Sequence, residues 1–177
     1  MDIKKITSNI FDWVKIIIIA LIFALIIRFF ILSSTMVSGS SMNPTLSNND
    51  KLLINRFFLF KKNLKKGDIV EFESPVEMNK DYIKRIIAIP GDKVKIESGK
   101  VFVNDIELKE EYISGDKTEN FKNNEWILEK DEFFVMGDNR NPGKSYDSRE
   151  FGPIKREIVV GIAFFRFSPI TRIGILK

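Results

Sequence analysis

Two residues of this 177-residue chain, Ser41 and Lys84, are suited to nucleophilic chemistry of a restricted kind, because the chain contains no histidine. A serine hydroxyl attacks a carbonyl only when a base takes its proton, and imidazole is the usual base. Cysteine is also absent, which excludes thiolate catalysis and with it thiolate or imidazole metal sites. What remains is Ser or Thr working with a lysine, a carboxylate or a chain-terminal amine. Ser41 lies in Gly39-Ser40-Ser41-Met42-Asn43-Pro44-Thr45-Leu46, just beyond the only long apolar run, and Lys84 lies in Tyr82-Ile83-Lys84-Arg85-Ile86-Ile87-Ala88-Ile89-Pro90-Gly91-Asp92. An ammonium in so apolar a strand is poorly solvated, and burial lowers a lysine pKa by up to ~3 to 5 units. A shift of ~2 to 3 units costs roughly 3 to 4 kcal/mol. Ile83, Ile86, Ile87 and Phe133 or Phe134 are candidate walls for such a pocket. Arg85 stays charged and cannot stand in as the base.

These residues need elements to hold them. The length allows one well-cored domain and an anchor. From Ile16 to Ile27 twelve consecutive residues are apolar, and Phe29 to Leu32 extend the run past Arg28. At 1.5 Å per residue the run spans roughly 25 Å of a hydrocarbon core about 30 Å thick, enough for a short transmembrane helix with Lys15 and Arg28 snorkelling. Lys4, Lys5 and Lys15 precede it and Ser33 to Asp50 holds no basic residue, so the N-terminus is expected in the cytoplasm. The expected organisation is a cytoplasmic N-terminus over residues 1–15, a single membrane anchor over 16–34 and an extracytoplasmic domain over 35–177. A cleaved signal peptide and a buried soluble helix fit less well, since no Ala-x-Ala site follows and the run lacks an amphipathic stripe.

Past the anchor the pattern becomes short alternating runs. Lys51–Asn55, Asp68–Glu73, Asp81–Ile89, Glu132–Met136 and Ile158–Phe167 read as strands, and Lys93–Glu97 with Lys100–Asn104 read as a hairpin turning at Ser98-Gly99. No later stretch carries a long helical period. The expected fold is mostly β, an antiparallel domain of curled, barrel-like sheets behind an N-terminal transmembrane helix. Residues 105–130 read as a loop-rich insertion. The lysines between Lys61 and Lys66, after Phe57-Phe58-Leu59-Phe60, fit either a solvated turn or a basic and apolar patch on lipid headgroups. Of 28 Lys+Arg and 24 Asp+Glu, the segment through Phe29 holds Lys4, Lys5, Lys15 and Arg28 against Asp2 and Asp12. The remainder, 24 basic against 22 acidic, is too balanced for a nucleic-acid partner.

Taken singly, the polar blocks are unremarkable turns and strand ends. Their order is more specific: Ser40-Ser41-Met42, then Asn49-Asp50-Lys51-Leu52-Leu53, then Lys84-Arg85 ahead of Ile89-Pro90-Gly91-Asp92, then Gly137-Asp138-Asn139-Arg140 leading to Ser145-Tyr146-Asp147-Ser148-Arg149. Behind an N-terminal anchor this series resembles type I signal peptidases in their short Gram-positive form, from Lys15 to about Gly161. The resemblance implies Ser41 as nucleophile and Lys84 as general base. It implies Ser145 as the hydroxyl supporting the lysine, with Asp138, Asp147, Arg85 and Arg149 as structural charge pairs, and the Ser41 backbone N–H as an oxyanion donor. Gly39 stands where Gram-negative members offer a serine hydroxyl, and Ser40 is an unsupported substitute. The Asn141–Lys144 spacer is longer by two than the motif's, so an extruded turn is expected and Ser148 stays open as the alternative to Ser145. The implied substrates are exported preproteins with small residues at the first and third positions before the cut, as in Ala-x-Ala, met at the lipid bilayer. No metal or organic cofactor is implied. Two other readings stay open: a Ser/Lys self-cleaving repressor-type peptidase, and a non-catalytic membrane-anchored β module that binds exported chains.

Overall fold

The computed structural model describes residues 3–30, 32–57, 64–121 and 123–176, and side-chain surroundings within 12–25, 33–57, 64–121 and 123–176. Helix α1 spans Ile3–Phe30, and its described side chains, 12–25, are all exposed. Among the described residues no helix is long and apolar enough to cross a membrane. The apolar run continues into 26–32, whose side chains lie outside the described residues. So do residues 58–63, which hold most of the expected lipid-facing patch; Lys66 at its end pairs with Asp92 at 2.9 Å.

Among the described residues twelve strands follow α1: β1 Leu32–Met36, β2 Lys51–Asn55, β3 Ile69–Glu73, β4 Asp81–Ala88, β5 Lys93–Glu97, β6 Lys100–Val103, β7 Ile106–Glu107, β8 Glu125–Ile127, β9 Glu132–Met136, β10 Ile154–Lys155, β11 Val159–Ser168 and β12 Gly174–Ile175. A four-residue helix α2, Ser148–Phe151, precedes β10. The larger sheet runs β1-β2-β11-β3-β4-β9-β10 with β12 on β11, and the smaller runs β7-β6-β5-β8. Pairing within both sheets is antiparallel.

The burial pattern explains this division. In β5 and β6, Val94, Ile96, Val101 and Val103 alternate with exposed or half-exposed partners, as a sheet covered on one face requires. Strands β3, β4 and β9 are buried almost continuously, because apolar clusters cover both faces of the larger sheet. One cluster gathers Val70, Phe72, Ile86, Val135 and Ile162; another gathers Val37, Met42, Leu46, Leu52, Ile54 and Ile69. A third, with Ile87, Val94, Ile96, Phe134 and Met136, joins the two sheets. The β5–β6 turn places Ser98 and Gly99 at φ 53° and 81°, the pair of left-handed residues that a two-residue hairpin demands.

Five of the expected strands and the hairpin form within a residue or two of their expected bounds. Strands β1, β7, β8, β10 and β12 and helix α2 are short or polar and carry no such pattern. Residues 105–130 hold β7 and β8, which flank the β5–β6 hairpin. Ten-residue β11 ties the larger sheet together by pairing with β2, β3 and β12, with register shifts along the way. At Gly161 a Cβ would lie 2.6 Å from Ile54 Cγ2 and 2.9 Å from the Asn55 carbonyl oxygen. Gly161→Ala is therefore expected to destabilise the fold by about 1 to 3 kcal/mol, the usual cost of overpacking; an unchanged thermal unfolding midpoint would contradict that close approach.

Candidate active site

Ser41 sits in the loop that carries the chain from β1 to β2. The loop's base is closed by Val37 N–H donating to Asp50 O at 2.8 Å and Asn49 N–H donating to Val37 O at 2.9 Å. Met42 and Leu46 turn inward and are almost fully buried, while Leu46 N–H donates to Met42 O at 2.8 Å. The other side of the loop is clamped by Asn139, whose backbone N–H reaches Ser41 O at 2.9 Å and whose side-chain amide reaches Ser40 O at 3.0 Å. Thr45 donates its hydroxyl to Asp138 at 2.5 Å, and Arg166 donates to Thr45 O at 2.8 Å. Ser41 is thus fixed through its backbone, leaving its hydroxyl to face the adjacent strand. Among the described residues no acceptor engages the Ser41 N–H, whereas Gly39 N–H is taken by Asn48 Oδ1 at 2.9 Å.

Lys84 projects from β4, opposite Val70 of β3. Its Nζ lies 2.7 Å from Ser41 Oγ, and the residue is only 5% exposed. Burial lowers its pKa from 10.5 to about 8, opposed by Asp147, helped by Arg149 and opposed again by Asp138. The two carboxylates do not hold the amine charged because each is engaged by an arginine. Arg85 grips Asp138 in two-point fashion, Nε to Oδ1 at 2.9 Å and Nη2 to Oδ2 at 2.7 Å. Arg149 does the same to Asp147, both contacts at 2.8 Å. The aspartate carboxyl stays below its ordinary pKa: burial pushes upward, but the Arg149 guanidinium, Gly137 N–H and the Ser145 hydroxyl together outweigh it. The buried pairs are near-neutral units that shape the site without recharging the lysine.

Ser145 and Ser148 occupy different places. Ser145 donates its hydroxyl to Asp147 at 2.7 Å. Ser148 accepts the Val135 N–H at 2.9 Å and so serves the end of β9. Gly137 links Ser145 to the Ser41 loop, since a Cβ there would lie 2.2 Å from Ser145 Oγ and 2.4 Å from Ser41 O. The spacer before Ser145 forms a turn, with Lys144 N–H donating to Asn141 O at 3.1 Å and Gly143 at φ 67°. Of the expected pocket walls, Ile83 lines the cleft around Ser41 and Lys84. Ile86 and Phe133 belong instead to one core cluster, Ile87 and Phe134 to another. Tyr82 and Met42 take their place in the cleft lining, with Lys84 Nζ 5.7 Å from the Tyr82 ring centre.

Several supports had no signal in the sequence because they come from the charged stretch 105–130. Tyr112 stacks on Arg85 at 4.1 Å. Glu110 pairs with buried Arg140, Nη1 to Oε2 at 2.9 Å, and Ser114 bonds Asn139 Oδ1 at 3.1 Å. This segment backs the Gly137–Arg140 turn that clamps Ser41. The cleft in front has a volume of about 350 Å³ and is bordered by Thr35 to Met42 on one side and by Lys80 to Lys84 on the other. Because the Ser41 carbonyl oxygen and the buried Ser145 side chain occupy the space beside Gly137, Gly137→Ala is expected to displace the Ser41 loop. The expected outcome is a loss of hydrolytic activity of about 100-fold or more, as a displacement near 1 Å would bring, with folded protein still recovered. Full activity of the variant in a peptide-cleavage assay would contradict the clamp.

The family model for "Signal peptidase, peptidase S26" matches residues 10–168. The chain is 36% identical to Signal peptidase I P of Bacillus subtilis subsp. natto, over 96% of this chain and 95% of that one. It is 38% identical to Probable signal peptidase I-2 of Synechocystis sp., covering 92% and 75% respectively, and 35% identical to Signal peptidase I of Bacillus licheniformis, covering 94% and 92%. With a Ser/Lys pair in hydrogen-bonding contact inside a cleft and a family match across nearly the whole length, the chain belongs to the signal peptidase family of serine peptidases, peptidase S26.

Proposed function

We propose that this chain is a membrane-anchored endopeptidase that removes signal peptides from exported preproteins, with Ser41 as nucleophile and Lys84 as general base. The observation that carries the reading is the 2.7 Å contact between a buried lysine amine and the serine hydroxyl. Neutral Lys84 accepts the Ser41 proton while Oγ bonds to the scissile carbonyl carbon. The tetrahedral intermediate collapses as the C–N bond breaks, and the Lys84 ammonium returns the proton to the leaving amine. Water, deprotonated by the same amine, then hydrolyses the acyl-enzyme and restores both groups. The Ser41 N–H is the donor placed for the developing oxyanion, and Gly39 adds no side-chain donor. Ser145 donates its hydroxyl to Asp147, a carboxylate that acts on the Lys84 amine, and so supports the lysine through that residue.

Supports for the substrate assignment are the family itself and the shape of the cleft. Strand β1 is the edge of the larger sheet, so its outer side can add an extended peptide as a further strand, with alternate side chains entering the cleft. Small residues at the first and third positions before the cut suit that arrangement. The apolar run from Ile16 to Leu32, with basic residues before it, supports a single-pass anchor with the N-terminus in the cytoplasm. An anchor that shares the bilayer with the substrate raises their effective concentration.

The pH dependence follows from the lysine. A base with a pKa of about 8 is neutral in roughly one molecule in ten at pH 7. Cleavage of an Ala-x-Ala peptide is expected to rise about tenfold per pH unit below 8 and to level off above it. Ser41→Ala and Lys84→Ala are each expected to abolish it. Variants that cleave at the parent rate, or a rate that peaks near pH 5, would contradict the assignment.

A further inference from the structure

Glu71 is a buried carboxyl that the proposed chemistry does not use. It lies in β3 opposite Ile83 of β4. Its neighbours Val70 and Phe72 enter an apolar core cluster, and alternation along the strand turns Glu71 to the other face. There it borders the same cleft as Ser41, Lys84, Thr35 and Tyr82, although only 4% of it is exposed. An apolar residue would suit this position, between two buried apolar neighbours and across from an isoleucine. A carboxyl there needs partners, and the Thr35 hydroxyl supplies one hydrogen bond, with Arg56 and Asp81 the charged groups that act on it. Burial nonetheless holds its pKa above the ordinary carboxyl value. Among the described residues the Thr35 hydroxyl is the one donor to Glu71, which leaves most of the acceptor capacity of a carboxyl unused.

We propose that Glu71 and Thr35 form a polar subsite that selects a substrate side chain carrying a hydrogen-bond donor, a hydroxyl or an ammonium, at one position upstream of the cut. The inference rests on the peptidase reading above and narrows it. A wholly apolar cleft ranks side chains by size alone, whereas a buried acceptor penalises an apolar side chain that cannot satisfy it.

The test uses the full chain in detergent and peptides that share one cleavage site, with Val or Thr placed in turn at the second, third and fourth residues before the cut. The two side chains are nearly equal in shape and differ in the hydroxyl. At one of these positions the parent is expected to favour Thr over Val in kcat/KM by about threefold to tenfold, as one net hydrogen bond would give. Glu71→Val is expected to reverse that preference, and Glu71→Gln, which keeps an acceptor of similar shape, to retain it. The Thr/Val ratio is measured within each variant, so a smaller folded fraction does not alter it. Equal rates for Thr and Val at every position in the parent, or an unchanged preference in Glu71→Val, would overturn the subsite while leaving the peptidase reading intact. A parent that cleaves none of the peptides would overturn both.

Discussion

A lysine that is 95% withdrawn from water is the constraint around which this molecule is arranged. Taking its pKa from 10.5 to about 8 corresponds to about 3 kcal/mol of bias against the charged form. The sign follows directly. Below pH 8 both folded and unfolded chains carry the proton, and the folded state bears the full cost of a poorly solvated ammonium. Between pH 8 and 10.5 the unfolded chain alone is still protonated and the cost shrinks; above 10.5 it vanishes. The remaining core must therefore supply a surplus of stability at the pH where the amine is least welcome, a stability penalty accepted for the sake of a reactive group.

The surroundings are built so that this bias survives. Two aspartates act on the lysine, and either one, left unpaired, would pull its pKa back up. Arg85 and Arg149 neutralise them with two-point contacts at 2.7 to 2.9 Å. Buried ion pairs of this sort contribute little net stability, since desolvation offsets the attraction, but losing one partner leaves a bare charge. Here a bare charge would also shift the Lys84 amine back toward its charged form. The same groups organise the Ser41 loop: Asp138 accepts the Thr45 hydroxyl within it, and Asp147 binds both Ser145 and the Gly137 N–H. Electrostatics of the Lys84 amine and position of the Ser41 hydroxyl thus share one set of residues.

The parts of this arrangement legible in the sequence were those encoded by pattern. Alternation in Lys93–Glu97 and Lys100–Val103, with Ser98-Gly99 between them, specifies a hairpin locally, and it forms in the expected register. Ser41, Lys84 and the Arg/Asp residues were legible because the absence of histidine narrows the chemistry and ordered blocks carry the resemblance. What could not be read depends on contacts distant in sequence. Strand β1 reads Leu-Ser-Ser-Thr-Met and becomes a strand only because β2 pairs with it. Glu110, Tyr112 and Ser114 look like members of a charged loop until the fold lays them against Arg140, Arg85 and Asn139. Glu71 belongs to a strand whose alternation was evident, but the cleft that it faces is made by β1 and β4, which no local pattern announces.

The state of the amine at position 84 can be observed directly. With the chain labelled at lysine and Lys84 assigned by comparison with a Lys84→Met variant, the NMR chemical shifts of the side chain followed from pH 6 to 12 report its titration without reference to turnover. The account predicts a midpoint close to 8 for Lys84; a Lys84 midpoint at or above 10 would contradict it.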